Sequence, residues 1–244
     1  MKKLLFVLTV SIFLFAQEKS LVNFDFGADV VSRYVWRGME LGYNTPHIQP
    51  WGTFTFDFES AGKVDFGFWA SYGLASESSK YSENDFNFKY SNNFGFGTIS
   101  LMVNDYYYPY LGQFSNFEKD GNGSHTIEVG LSYEGTEELP LRVLVTTNVH
   151  NMALLANGDK EKTLYAELGY NLNLGEVSLS PFVGVAQGES LWHQVTTDKV
   201  EVINVGFTAS KSIKITDAYS LPVAASWIWN PHLKTTYTVF KVSL

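Results

Sequence analysis

The sequence contains no cysteine. Disulfides, thiolate metal sites, a cysteine nucleophile and a lipidated cysteine anchor are all excluded. It has no excess of positive charge: 17 Lys and Arg face 25 Asp and Glu, a net charge of −8. Nucleic acid is therefore not an expected partner, because phosphate binding needs clustered cations. Beyond residue 16 it has no apolar run approaching the ~20 residues of a membrane helix. No long segment carries an amphipathic helical pattern, and no shift in composition marks a second domain.

The chain is rich in aromatic residues instead: 19 Phe and 14 Tyr in 244 residues, with aromatic content at 16%. It begins Met1-Lys2-Lys3 and runs apolar from Leu4 to Ala16. Two lysines, a short apolar run and a small residue at its end predict a secretory signal peptide over 1–16, with residues 17–244 forming one β-barrel domain. Removal of Lys2 and Lys3 with that leader leaves 15 basic and 25 acidic residues, a net −10.

The stretch Phe24 to Gly38, "FDFGADVVSRYVWRG", defines the fold class. Asp25, Asp29, Arg33 and Arg37 recur every four residues, a spacing that fits one helix stripe or every second inward site of a strand. The positions between them decide. Even sites hold Phe24, Phe26, Ala28, Val30, Ser32, Tyr34 and Trp36, so the period is two, with β-branched and aromatic residues enriched. Alternation recurs to the chain's end. It predicts twelve strands, at 22–37, 47–59, 63–75, 84–91, 94–105, 125–134, 140–149, 162–172, 176–187, 200–213, 219–229 and 235–244. Pro140, Pro181 and Pro222 fall near strand starts, where a missing ladder donor costs least.

Connections alternate between short and long. That is the pattern of an all-β, transmembrane, antiparallel up-and-down barrel, with tight periplasmic turns and longer extracellular loops. A soluble sandwich shows the same alternation. Three features favour apolar-out: the leader, the mixed polar inner face, and the ending Phe240-Lys241-Val242-Ser243-Leu244, which resembles the C-terminal insertion signal of outer-membrane barrels. The expected location is the bacterial outer membrane. The expected partners are its lipid, small hydrophilic solutes, and the barrel-insertion machinery acting through the C-terminal strand.

Charge facing lipid at mid-depth costs ~2–4 kcal/mol per Arg or Lys, so the charged face is expected inside. Asp25, Asp29, Arg33 and Arg37 then form a ladder along the wall. Asp57, Lys63, Asp65, Asp85, Lys89, Glu128, Arg142 and Glu167 are the other candidate pore-lining residues. Two roles fit them: a selective lining, or an ion-pair network that fills the barrel and fixes register.

Ser32 to Gly38, "SRYVWRG", resembles the S-x-Y-x-[FW]-R-G start of the bacterial TorF-like porin family. "VNDYYYPY" at 103–110, "SLPV" at 220–223 and "NP" at 230–231 are similar to it too. The resemblance implies an outer-membrane β-barrel and carries no catalytic residues to transfer. Met39-Glu40 departs from the family's Ser-Gln-like continuation.

An outer-membrane hydrolase is the alternative class, and a non-conducting structural or binding barrel a third. No G-x-S-x-G elbow is present, and Ser124 and His125, as strand neighbours, face opposite ways. The expectation is therefore no enzyme, and no cofactor or metal is expected. His47, His125, His150, His193 and His232 all fall in or beside the long loops, without zinc spacing. Asp120 to Ser124 resembles half a calcium loop but lacks the Gly and Glu that complete one. The aromatic loop from Tyr106 to Ser124 allows three roles: constricting the pore, stacking sugar rings, or packing as an interfacial cluster.

Overall fold

The computed structural model describes residues 21–244. The expected signal peptide at 1–16 lies outside the described residues. Twelve barrel strands follow in chain order: Val22–Val31, His47–Asp57, Lys63–Gly73, Glu83–Asn93, Gly97–Tyr107, His125–Gly135, Leu141–His150, Tyr165–Tyr170 continued by Leu172–Leu174, Val177–Gln187, Val200–Lys214, Ser220–Asn230 and Thr235–Ser243. They are called the first to the twelfth strand below. Each pairs antiparallel with its neighbours in sequence, and the first pairs with the twelfth, so the sheet closes. Closure removes the free edges that a sheet in lipid cannot leave unsatisfied.

Alternation decides which side chains go where. Along the second strand Phe54 and Phe56 point outward and Thr53, Thr55 and Asp57 inward. Phe26, Phe54, Phe66, Leu101, Leu131, Leu168 and Phe240 all expose their side chains on the outside. Among the described residues fully buried apolar side chains are few, and Tyr165, Ala186, Val195 and Ile203 pack as one cluster. The protein is thus inverted relative to a soluble barrel: its apolar face looks out and its polar face looks in.

The seam between first and twelfth strands is short. Asp29, Val30 and Val31 lie opposite Ser243, Val242 and Lys241. Ala28 and Leu244 exchange both backbone bonds, at 3.1 and 2.8 Å. Pro50 sits opposite Ala28 on the other side. Ala28 directs its backbone groups to the seam, so a residue without an N–H is tolerated there.

The first strand was expected to run from 22 to 37, and the structure corrects this. It ends at Val31. Ser32 makes the last seam contacts: its N–H donates to the Phe240 carbonyl at 2.9 Å and its Oγ accepts the Phe240 N–H at 3.0 Å. The chain then leaves the wall and folds into the barrel. Val35–Trp36 and Met39–Glu40 form a small separate hairpin there. Alternation continues through the break because a hairpin has the same period as the wall, so periodicity alone does not reveal the departure. The eighth strand also differs from the expected 162–172, since it starts at Tyr165 and is interrupted at Asn171.

Candidate functional site

The inward hairpin is built on a two-residue turn. Arg37 and Gly38 have φ of 47° and 76°. Positive φ at both central residues is the type I′ signature, whose twist matches the flanking strands. Val35 faces Glu40, Trp36 faces Met39, and the Leu41 N–H donates to the Tyr34 carbonyl at 3.0 Å. Met39 is fully buried. The Tyr34 ring lies 5.4 Å from that of Trp69 and 5.9 Å from that of His47, which seats the hairpin stem on the second and third strands.

The hairpin tip crosses the lumen. Arg37 donates from Nη1 and Nη2 to the Glu128 carboxylate at 2.7 and 3.0 Å. Its side chain is 8% exposed and that of Glu128 is 0% exposed, so the pair is dry. The Trp36 and Tyr165 rings hold the guanidinium between centroids at 4.2 and 4.4 Å. Both attractions act in a low dielectric, where they are strongest. Glu128 also accepts from the Tyr106 hydroxyl at 2.9 Å and from Asn104 Nδ2 at 3.4 Å. The Gly38 carbonyl accepts from Asn230 Nδ2 at 3.1 Å. One turn is therefore tied to the sixth, eighth and eleventh strands.

His193, from the loop after the ninth strand, completes the lock. Its ring stacks on Trp36 and Tyr165, with centroids 6.1 and 5.7 Å away. Its Nε2 lies 3.3 Å from Arg37 Nη1. A guanidinium only donates, so Nε2 accepts and the ring proton sits on Nδ1. Burial, and then the Arg37 charge, push the imidazole pKa down to about 3. Both act against a second positive charge beside Arg37.

At the short-turn end the lumen opens into a vestibule of about 1050 Å³. Asp25, Asp57, Lys63, Asp65, Lys89, Arg142 and Glu167 line it. Lys63 pairs with Asp57 at 3.3 Å and Lys89 with Asp65 at 2.9 Å, both across strands. Glu167 accepts from the Tyr165 hydroxyl at 2.6 Å and from Asn204 at 3.0 Å.

The structure thus sorts the expected lining residues into groups. Seven surround the vestibule. Glu128 and Arg37 form the lock. Asp85 faces inward above the vestibule, on the strand that also carries Glu83. Asp29 and Arg33 border a smaller chamber beside the hairpin. The single four-residue ladder is corrected: Asp25 and Asp29 stand on the wall, whereas Arg33 and Arg37 belong to the inturned segment. Sequence reasoning missed Trp36, Tyr106, Tyr165, His193 and Asn230 as partners. Arg37-Gly38 was the available signal, because a glycine after a would-be strand permits a left-handed turn.

The histidines do not converge. His47 is buried beside Ser71 and the Gly42 carbonyl, each at 3.0 Å. His125 Nδ1 lies 3.0 Å from both Asp105 oxygens and Nε2 2.8 Å from the Phe114 carbonyl. Its ring is stacked between Tyr107 and Phe117, at 4.6 and 4.0 Å. The Ser124 hydroxyl donates to the Gln113 carbonyl at 2.8 Å and makes no dyad with His125. Among the described residues no group of three or more His, Asp or Glu is placed to hold a metal ion. In the calcium-like loop, Gly121 and Gly123 donate to Asn151 Oδ1, and Asp120 pairs with Lys160 at 3.3 Å. The aromatic loop divides. Tyr106 and Tyr108 approach Trp192 inside, while Phe114 lies against Phe86 on the outer wall, at 6.0 Å.

A family model described as "Bacterial protein of unknown function (Gcw_chp)" matches residues 16–233. The chain belongs to that family. No curated protein matches it.

Proposed function

Taking that membership as the premise, we propose that the chain is an outer-membrane β-barrel that forms a narrow, gated channel for small hydrophilic solutes. One observation carries the reading: a closed barrel with its apolar face outward and a polar, charged cavity inside. Burying the outer side chains in lipid is favourable by roughly 25 cal/mol per Å², and no aqueous arrangement of a monomer gains this. The resemblance of 32–38 to TorF-like porins and the leader-like start support the same reading. On it, the long loops face outside and the vestibule opens to the periplasm. The partners are then outer-membrane lipid, small solutes and the insertion machinery, which reads the strand ending at Leu244. The reading includes no catalytic step.

The hairpin sets the channel's size. Its tip closes the long-loop half, so conductance is small while the Arg37–Glu128 lock holds. Single-channel recording of the refolded protein in a planar bilayer tests this. The wild type should give small or rare openings, and deletion of residues 33–40 should give larger, long-lived ones. The density of the lock favours a second reading, a barrel that binds without conducting. Silence from both proteins, each shown to be folded, would establish that reading and remove the first.

A further inference from the structure

Inside the barrel, beside the hairpin stem, lies a second chamber of about 340 Å³. It is distinct from the vestibule. On the inner face of the first strand, Asp25 lines the vestibule and Asp29 lines the chamber, with Gly27 between them. A Cβ on Gly27 would lie 2.8 Å from the Trp51 ring, so that indole packs over the strand between the two aspartates. At this size the chamber is near the lower end of small-molecule sites, which run to roughly 300–1000 Å³.

Its lining has an unusual charge inventory. Arg33 and Lys241 bring two cations and Asp29 one anion. Gln49, Thr208 and Ser226 add neutral hydrogen-bonding groups. Val31, Trp69, Ile228 and Val239 supply an apolar wall. The charged groups are held loosely. Lys241 Nζ meets Asp29 Oδ2 at 3.1 Å, and Arg33 Nη1 meets Glu40 Oε1 at 3.3 Å. Each is a single contact. The side chains are 42% and 16% exposed in the first pair and 23% and 24% in the second. Arg37, by contrast, is bidentate and dry. The Arg33 fork keeps unused donors, and the Lys241 ammonium has three N–H groups with one contact made. A ligand carboxylate can recruit both, since guanidinium favours bidentate carboxylate geometry.

Charge complementarity selects among ligands. A neutral sugar offers no charge to the spare donors of Arg33 and Lys241 or to the Asp29 carboxylate. A dicarboxylate meets Asp29, and a simple amine meets two cations. A molecule with adjacent carboxylate and ammonium groups and an aliphatic remainder satisfies the whole lining. We propose that this chamber binds a small zwitterion of the α-amino-acid type with an apolar side chain. This rests on the channel reading only for delivery of the ligand, and names its solute class; binding itself needs no conduction.

The test is calorimetric titration of the folded protein in detergent with three probes: L-leucine, 4-methylpentanoate and 3-methylbutylamine. L-leucine should saturate and bind at least about tenfold more tightly than either probe bearing one charge. Arg33→Gln should weaken L-leucine by a similar factor and leave the amine unweakened. Asp29→Asn should weaken L-leucine and strengthen 4-methylpentanoate. Heat-modifiable gel migration reports folding, and Lys241→Gln replaces Arg33→Gln if the latter does not fold. Absence of L-leucine binding by folded protein, or equal binding of all three probes, would overturn the proposal. Binding without bilayer conductance would leave it standing and remove only the channel.

Discussion

Arg37 and Glu128 are 91 residues apart in the chain and meet as a two-bond ion pair, 2.7 and 3.0 Å long, inside the barrel. Neither side chain reaches solvent appreciably. Desolvation makes such a pair costly to assemble and more costly to break by halves, because the remaining charge stays buried. Arg37→Met or Glu128→Leu alone should each lower stability by ~3–5 kcal/mol. The double variant should recover much of that loss. Denaturant unfolding of the refolded barrel in detergent measures all three. Additive losses would show that the two groups do not depend on each other.

Gly38 is the second point at which the hairpin is constrained. Its φ is 76°, and a Cβ would collide with the Ile203 carbonyl on the tenth strand. Gly38→Ala should therefore cost more than the ~1–3 kcal/mol of an unfavourable backbone region alone. Gly158 is the internal control: its φ is 86°, with open space around it. Gly158→Ala should pay only the backbone term. Equal losses at both sites would mean that the hairpin tip is not packed against the wall.

The wall of this barrel was legible in the sequence because a closed sheet with one apolar and one polar face imposes period-two alternation on every strand. Strands such as Lys63–Gly73 and His125–Gly135 fall within two residues of their expected bounds for that reason. The hairpin was not legible. Tyr34, Val35 and Trp36 alternate as a wall strand would, and nothing local tells a wall strand from a hairpin folded into the lumen. Glu128 was expected on the inner face, but its partner was not, since cross-barrel pairing is set by the closed shape. The aromatic cage of Trp36 and Tyr165 likewise joins residues far apart in the chain, each of which looks like ordinary barrel wall.

His193 gives the lock a pH dependence. Its native pKa is pushed down to about 3 by burial and then by Arg37. An unfolded histidine titrates near ~6.5. The unfolded chain therefore takes up this proton first, and stability falls as pH drops from ~6.5 toward 3. Above ~6.5 the contribution is fully present. His193→Gln should flatten the stability profile across that window relative to the wild type. The comparison is made on the difference between the two proteins, because carboxylates elsewhere titrate in both. Parallel profiles would show that His193 remains accessible to solvent protons in the folded state.

The orientation of the barrel can be read with single thiols, because the chain has no cysteine of its own. Gly158 lies in a long connection between the seventh and eighth strands, and Gly95 in the short turn between the fourth and fifth. At either glycine a Cβ would meet nothing within 4 Å, so a new side chain projects into open space. Gly158→Cys should react with a membrane-impermeant maleimide on intact cells. Gly95→Cys should react only after the outer membrane is permeabilised. The asymmetry follows from loop length, since short turns face the periplasm and longer loops the exterior. Equal labelling of both sites on intact cells would end the outer-membrane reading. Reversed labelling would keep the barrel in the membrane and place the vestibule, rather than the hairpin lock, at the cell surface.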